Sequence, residues 1–512
     1  MKEPNGGALQ PNGHSSEMNG HATRSGGRAK TKAAEPNGAA IQPKSKSRDR
    51  IAEFEHAIDE LWGRETKATW LATFFSLVLV VICPICLFGN WIALEYFNGS
   101  LTTVMTAVGR IGPLSLYTYF GPTFSKESVF QYAAWLLFQG LLYSLLPGPI
   151  STGQLTPAGH LLKYKTNGLR AYVLTHVLFL GAGAVGLVDL AIIAKNWEGL
   201  LIVANVYGFF LAGFALVKAH VAPSHPNDRK FSGSLIHDYF MGVELNPRFG
   251  ELWDFKLFHN GRPGIVAWTL IDISYTAHQY QKIGYVTNSM WLVNLFHFIY
   301  VVDFFYNESW YLRTLDMCHD HFGYYLGYGS VALVPNLYTI QTQYLARYPV
   351  DLHIWQVIAI LTIGLGGYAI FRGANYQKDS VRLTGGDCNI WGKPAEYIKA
   401  PYKTSDGKTH ESLLLTTGMC SLRFLYVSVL ILREGWWGFT RHANYLGDMM
   451  MAFAMGASCG SWHTIPWYYT VFIVALLATR VPRDEARCSK KYGKTWDKYC
   501  EKVPYRILPG IL

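Results

Sequence analysis

The sequence is short of charged residues. Asp, Glu, Lys and Arg make up only 16% of its 512 residues, whereas hydrophobic residues reach 50%. Soluble globular domains carry about 25% charged residues. The eight cysteines form no Cys-rich cluster, so no disulfide framework is indicated. No Gly-x-Gly-x-x-Gly motif follows a predicted strand, so a dinucleotide site of Rossmann type is excluded. These shortages argue against a water-soluble enzyme.

Long apolar runs are what the chain has in abundance, and each can cross a hydrocarbon core of about 30 Å. They predict an all-α polytopic membrane protein of about ten transmembrane helices. The predicted spans are 69–94, 128–147, 170–194, 199–220, 264–284, 287–306, 323–345, 353–374, 440–460 and 463–480. The net charge of +10 lies in the tails and loops, which is typical of the cytoplasmic face of a membrane protein and does not indicate nucleic-acid binding. An even number of spans puts both termini in the cytoplasm.

Composition divides the chain into six regions. Residues 1–50 are rich in Gly, Pro, Asn, Ser and Lys, and we expect them to form a disordered tail. An amphipathic segment before the membrane is predicted for 51–68. The rest is predicted to comprise transmembrane helices 1–8 (69–374), a cytosolic loop (375–439), helices 9 and 10 (440–480) and a cytosolic C-terminal segment (481–512).

Titratable residues cluster between Asp303 and Gly329, where burial next to a membrane is costly and function is therefore expected. A metal centre is disfavoured, because His319 and His321 are two residues apart and point about 200° from each other on a helix. Two interpretations stay open, namely hydrogen bonding between helices and proton donation to a bound apolar substrate. Burial beside the neighbouring tyrosines disfavours a carboxylate, so an acid here can hold a proton at neutral pH.

Cations and aromatic residues recur in the last third of the chain. Lys378 and Arg382 are spaced i and i+4, which places two cations on one helical face as a clamp for a phosphate, although a solvated pair has the same spacing. Arg, His, Asn, Tyr and Asp crowd into 441–448, and further polar groups follow from Asp484 to Tyr499. The predicted topology places all of them on one membrane face, so they can converge on one soluble, anionic, aromatic ligand such as a nucleotide.

Several long blocks of the sequence resemble the membrane sterol reductases. The blocks are 155–160, 164–168, 242–248, 258–268, 318–323, 371–379, 441–448 and 503–510, and the resemblance covers about 70 to 512. It implies ten transmembrane helices, NADPH as cofactor and residence in the endoplasmic reticulum membrane. It also implies partners, namely a sterol diene substrate, the lipid bilayer and other enzymes of sterol biosynthesis. Helices 1–8 are then expected to form the sterol pocket and 481–512 to complete the cofactor site.

The family's cofactor positions match individual residues of this chain. They are Lys378, Arg382, Leu415, Trp437, Asn444, Tyr445, Asp484, Cys488, Ser489, Lys490, Lys491, Tyr492 and Tyr499. The resemblance implies that Lys378 and Arg382 face the phosphate that distinguishes NADPH from NADH. It implies that the aromatic and amide groups hold the rings.

The reaction that the resemblance implies is reduction of the C7=C8 double bond of a sterol. A proton at C8 of a conjugated 5,7-diene leaves an allylic cation at C7, which accepts a hydride. We expect the acid between Glu308 and Tyr325. Asp320 or Tyr324 is the predicted donor, and His319 and Glu308 are predicted to tune or relay the proton.

One departure from the family is an insert at 419–435, too short to span a membrane and predicted to be a surface or interfacial segment or a gene-model artefact. Three alternatives stay open. Δ14-sterol reductases share the cofactor machinery. Membrane methyltransferases of the isoprenylcysteine type have a similar Arg-His-x-Asn-Tyr motif. A non-catalytic sterol-binding scaffold can be built on the same helices.

Overall fold

The computed structural model describes residues 67–403, 409–417, 435–460 and 463–508, and these residues are mostly helical. The predicted tail, all but two residues of the amphipathic segment, and 419–434 of the insert lie outside them. The first half contains α1 (Trp70–Tyr96), α2 (Leu101–Ile111), α3 (Pro113–Phe120), α4 (Lys126–Leu145), β1 (Ile150–Leu155), β2 (Leu161–Lys165), α5 (Gly168–Ala184), α6 (Ile192–Lys195), α7 (Trp197–Val221), α8 (Leu235–Met241), β3 (Arg248–Phe249), β4 (Trp253–Asp254), α9 (Phe255–His259) and α10 (Ala267–Ile283).

The second half continues with helices and two more antiparallel strand pairs. It contains α11 (Asn288–Tyr306), α12 (Glu308–Tyr311), α13 (Leu315–Cys318), α14 (Tyr324–Tyr328), α15 (Val334–Leu337), α16 (Ile340–Arg347), α17 (Ile354–Leu383), β5 (Asn389–Ile390), β6 (Lys393–Pro394), β7 (Tyr397–Lys403), β8 (Thr409–Leu415), α18 (Ala443–Ala457), α19 (Thr464–Tyr492) and α20 (Lys494–Lys502). All strand pairs are antiparallel.

Five helices of the described chain are long and apolar enough to cross a membrane, namely α1, α7, α11, α17 and α19. Their lipid-facing character is visible in α1, where Trp70, Phe74 and Ile85 are exposed although the helix is apolar throughout. The prediction of a mostly helical, polytopic membrane protein is confirmed at this level. The count of ten transmembrane helices stays a prediction.

Two predicted spans are interrupted rather than continuous. The span predicted at 264–284 begins as a π-helix, Asn260–Val266, and becomes α-helical in α10. The span predicted at 323–345 is divided into α14, a second π-helix (Gly329–Leu333), α15 and α16. The two π-helices meet where Gly264 faces the Ser330 carbonyl, and a Cβ atom on Gly264 would lie only 2.5 Å from that oxygen. Wide helical turns of this kind are frequent at functional sites.

Glycines also set the packing of α17 against α18. A Cβ atom on Gly367 would lie 2.7 Å from the Gly447 carbonyl oxygen, and one on Gly447 would lie 2.5 Å from the Gly367 carbonyl oxygen. The two backbones therefore touch, as at other membrane-helix crossings built on small residues. Helix α18 packs on α19 in turn. The contact fixes the first turns of α18 beside the C-terminal half of α17, where the predicted cofactor residues lie.

Candidate functional site

The C-terminal end of α17 carries Lys378 and Arg382 one helical turn apart. Several titratable groups near these two cations come from α19. Asp484 and Cys488 lie near Lys378, while Cys488 and Tyr492 lie near Arg382. The structure thus brings together residues that the sequence separates widely and that the resemblance assigns to one cofactor.

Trp437 covers the ammonium group of Lys378. The Lys378 Nζ atom lies 4.9 Å from the centre of the indole ring, a distance typical of a cation–π contact. The indole Nε1 atom donates to the Ala374 carbonyl oxygen at 2.6 Å, which fixes the ring on α17. Leu415 belongs to the same apolar cluster as Trp437 and Ala374. Leu415 and Trp437, which flank the predicted insert, therefore lie in one apolar cluster with Ala374 of α17.

Asn444 and Tyr445 present polar groups from the first turn of α18. The Tyr445 hydroxyl donates to Asp484 Oδ2 at 2.9 Å, and Arg487 Nη2 pairs with Asp484 Oδ1 at 2.9 Å. The Asn444 amide nitrogen lies 3.4 Å from Asn375 Oδ1. Its own Oδ1 atom is buried with no hydrogen-bond partner among the described residues. A buried acceptor without a donor is rare in proteins and suits a ligand that donates a hydrogen bond.

The C-terminal helices close the site against the β7–β8 hairpin. Tyr499 is buried in an apolar cluster with partly buried Cys488 and Tyr492, and burial raises the pKa of the Tyr499 hydroxyl. Lys491 Nζ lies 3.8 Å from the centre of the Tyr402 ring on β7. Ser489 and Lys490 are exposed on α19.

A buried lysine ties the predicted catalytic segment to α9. The Lys256 ammonium donates to the carbonyl oxygens of Asp316, Met317 and Asp320 at 2.7, 3.1 and 2.6 Å. Burial lowers the pKa of Lys256 to about 8. Asp316 Oδ1 in turn pairs with Arg480 Nη2 of α19 at 2.7 Å. The segment 315–320 is therefore held between α9 and α19.

His319 and Asp320 face the same helix α19. Burial, with the nearby cations Arg487, Lys256 and Lys491, lowers the pKa of His319 to about 4. Burial and the neighbouring Asp316 raise the pKa of Asp320 to about 6, against the opposing effect of Lys256 and Arg480. Both predicted residues thus lie next to the cluster that contains the predicted cofactor residues.

Glu308 and Tyr324 make their contacts elsewhere. Glu308 accepts from Arg262 Nη1 at 2.7 Å and from the Gly168 backbone N–H at 2.8 Å, with both charged side chains buried. The Tyr324 hydroxyl donates to the Val80 carbonyl oxygen of α1 at 3.2 Å, and its ring stacks on Tyr328. The roles predicted for these two residues stay predictions, and the contacts described for them are with other parts of the chain.

Matching the sequence to the family's cofactor positions did not identify a polar cluster around Arg480. The Arg480 guanidinium lies beside Asp316, Tyr325 and Tyr445. Asp448 of α18 lies next to Arg480, and Tyr300 of α11 lies next to Asp448. A signal was present in the sequence, because a charge in an apolar run is costly and marks function. The cluster adjoins the cofactor residues through Tyr445, so a ligand bound there would have acidic and phenolic groups at one end.

Comparison with known proteins identifies the family of this chain. The family described as "Ergosterol biosynthesis ERG4/ERG24 family" matches residues 63–512. This chain belongs to that family. It is 44% identical over 467 residues to 7-dehydrocholesterol reductase of Xenopus laevis, covering 88% of this chain and 94% of the relative. It is 41% identical over 464 residues to 7-dehydrocholesterol reductase of Danio rerio, covering 88% and 93%.

The ERG4/ERG24 family includes more than one reductase. The chain is also 37% identical over 448 residues to Delta(14)-sterol reductase of Methylotuvimicrobium alcaliphilum, covering 86% of this chain and 95% of the relative. The family resemblance predicted from the sequence is confirmed. As a sterol reductase of this family the protein is an oxidoreductase, and its long apolar helices agree with a multi-pass membrane protein.

Proposed function

We propose that the protein reduces the C7=C8 double bond of a sterol 5,7-diene with NADPH. The relatives at 41% and 44% identity carry the name 7-dehydrocholesterol reductase, whereas the relative named as a Δ14 reductase is 37% identical. The observation that carries the proposal is the meeting of α17, α18 and α19, where two cations, two aromatic rings and an unpartnered amide oxygen surround one region.

These groups fit an anionic dinucleotide. Lys378 and Arg382 would hold the phosphate that distinguishes NADPH from NADH, since both are cations at one helix end. The rings would be held by Leu415, Trp437, Tyr492 and Tyr499. Asn444 and Tyr445 would orient the amide group of the nicotinamide. The outer edge of the site would be lined by Cys488 to Lys491. When bound, the reduced nicotinamide supplies a hydride.

The remaining chemistry belongs to the side chains. A proton delivered to C8 turns the diene into an allylic cation, so the enzyme needs an acid that is kept from water next to the ring system. The segment held by Lys256 and the cluster around Arg480 lie at the inner end of the cofactor residues and contain the candidate acids.

We further place the protein in the endoplasmic reticulum membrane with both termini in the cytosol. The basic residues before the first span and after the last favour that orientation, and it puts the whole cofactor region on the side where NADPH is available. In this arrangement 69–374 forms the sterol pocket, 375–439 a cytosolic loop, 440–480 the last two spans and 481–512 the end of the cofactor site.

The test is expression of the full chain in a host that lacks sterol reduction, with mass spectrometry of the sterols formed. We expect loss of the C7=C8 bond with NADPH and far slower turnover with NADH. Reduction of a C14=C15 bond instead would show a Δ14 reductase. Absence of any NADPH-dependent reduction would contradict the proposal.

Lys378→Met tests the cofactor site, with Lys399→Met as the matched control. Lys399 is an exposed lysine on the β7–β8 hairpin, 3.4 Å from Glu411. We expect Lys378→Met to raise KM for NADPH about tenfold or more and to leave KM for NADH almost unchanged, because a phosphate contact of about 1.5–3 kcal/mol is lost. Equal effects on both cofactors would show that Lys378 does not contact the phosphate.

A further inference from the structure

Asp448 is a carboxyl group inside the bundle to which neither the sequence nor the proposed function assigns a role of its own. It lies one turn after Asn444 and three residues after Tyr445 on α18, so all three share one face of the helix. It is therefore one turn farther along α18 than the two residues assigned to the nicotinamide.

The surroundings of Asp448 are phenolic. Its carboxyl group is hydrogen-bonded to Tyr300 of α11. Tyr338 and Tyr469 lie close enough to interact with its charge. Its Oδ1 atom is buried and has no hydrogen-bond partner in the part of the chain that the structure describes. The carboxyl group is thus held by Tyr300, and its Oδ1 atom is left without a donor in the described chain.

Arg480 lies beside Asp448 and pairs elsewhere. Its Nη2 atom binds Asp316 Oδ1 at 2.7 Å, and its other near neighbours are Tyr325 and Tyr445. A carboxyl group removed from water and without a salt bridge of its own keeps its proton more readily than an exposed one. The geometry therefore leaves Asp448 as an acid rather than as half of an ion pair.

We propose that Asp448 is the group that protonates the sterol, an inference that rests on the proposed function. The O–H bond of the Asp448 carboxyl breaks and a C–H bond forms at C8, while the C7=C8 electron pair becomes that bond. The resulting allylic cation at C7 accepts the hydride of NADPH, which leaves NADP⁺. The Asp448 carboxylate stabilises the cation while it exists, and afterwards takes a proton from water, with the Tyr300 hydroxyl as the relay.

The other candidate acids are less well placed. The Asp316 carboxylate is committed to Arg480, and the Tyr324 hydroxyl points to Val80 of α1. Asp320 can also hold a proton, since its pKa is raised to about 6, but it lies on the segment between α13 and α14 and not on the helix that carries Asn444. Among the acids described, Asp448 alone shares a helix face with Asn444.

The experiment compares Asp448→Asn with Asp272→Asn in the purified full chain. Asp272 is an equally membrane-embedded aspartate on α10, but it pairs with His297 and accepts from Thr342. We expect Asp448→Asn to lower sterol turnover at least about a hundredfold, the usual weight of a general acid, with NADPH affinity within threefold of the wild type. The control is expected to keep the turnover of its folded fraction. Asp448→Glu should restore part of the turnover.

A second readout does not depend on turnover. Infrared spectra of the NADPH-bound protein without sterol should show the carbonyl stretch of a protonated carboxyl group, and Asp448→Asn should remove it. Turnover of Asp448→Asn within threefold of the wild type would overturn the inference, as would an unchanged carboxyl band. So would loss of turnover in Asp320→Asn with full turnover in Asp448→Asn. Wild-type protein that does not reduce the diene would instead contradict the proposed function.

Discussion

Two buried arginines of this protein have opposite surroundings. Arg262 has a partner for each terminal nitrogen, because Nη1 binds Glu308 at 2.7 Å and Nη2 binds Asn167 Oδ1 at 2.8 Å. Arg480 pairs with Asp316 and is hydrogen-bonded to Tyr325, and near it lie Tyr445 and Asp448, whose Oδ1 is unpartnered in the described chain. In the first cluster, which we call closed, both Nη atoms are paired and Nε alone has no hydrogen-bond partner in the described chain; the cluster holds helices together. The second cluster contains a polar atom, Asp448 Oδ1, that has no partner in the described chain and is therefore available to a ligand.

Breaking the closed cluster should have the largest effect on stability. Glu308→Ala leaves Arg262 buried without its counter-charge and the Gly168 N–H without its acceptor, so we expect a loss of about 3–5 kcal/mol in the free energy of unfolding. Thermal denaturation in detergent micelles measures it. The matched variant is Glu127→Ala, which removes an exposed carboxylate that accepts only from Gln131 four residues away. Equal melting temperatures for the two variants would show that the Arg262 cluster is not closed as described.

Breaking the open cluster should affect turnover more than folding. Asp316→Asn removes the charge that holds Arg480 against 315–320, while Lys256 still holds that segment through its backbone. We expect turnover to fall about tenfold, equivalent to about 1.4 kcal/mol in the barrier. The melting temperature should change by only a few degrees. A large fall in melting temperature with normal turnover would show that the Arg480 cluster, like the Arg262 cluster, serves stability and not turnover.

The pH dependence of stability should distinguish the open cluster as well. The pKa of Asp320 is raised to about 6, so between pH 4 and pH 6 the folded protein keeps a proton that the unfolded chain releases. Stability should therefore fall as pH rises through that window. Asp320→Asn should flatten this part of the profile, and thermal denaturation at several pH values checks it. An unchanged slope would assign the titration to another group.

The smallest effect is expected at the exposed edge of the site. Tyr402→Leu removes the ring under the Lys491 ammonium, a contact of about 0.5–1 kcal/mol at an exposed position. We expect KM for NADPH to rise about two- to fivefold with kcat unchanged. Initial-rate kinetics measure it. A change in kcat instead would place the hairpin closer to the chemistry than the structure indicates.

The sequence was sufficient for the parts of the fold that depend on apolar length. Helices α1, α7, α11, α17 and α19 begin within a few residues of the predicted spans. It failed where a helix is broken, because the π-helices at 260–266 and 329–333 depend on a close backbone contact between Gly264 and Ser330, which are far apart in the chain. It also missed α2 and α3, and it extended α5 to 194 although that helix ends at Ala184, before a turn in which Gly186 has φ of 74°.

Motif matching assigned individual residues to the predicted cofactor site but did not single out Asp448, the acid proposed above. Spacing alone places Lys378 and Arg382 on one face, and the structure adds their neighbours on α19. Successive residues of a helix point about 100° apart. Because the sequence does not show where this helix begins, it cannot show whether Tyr324 or Tyr325 faces the site. Only the structure shows that Tyr324 points to Val80 and that Tyr325 faces Arg480. Asp448 went unassigned because its neighbours Tyr300, Tyr338 and Arg480 come from distant parts of the chain.

The length of α17 has a consequence for cofactor exchange. Its 30 residues extend about 45 Å, whereas the hydrocarbon core measures about 30 Å. Helix α19, with 29 residues, is nearly as long. In the proposed orientation, their last turns would extend beyond the hydrocarbon core on the cytosolic side, with the proposed cofactor residues between them. A dinucleotide held there, as we propose, could then exchange with the cytosol while a sterol remains in the bilayer.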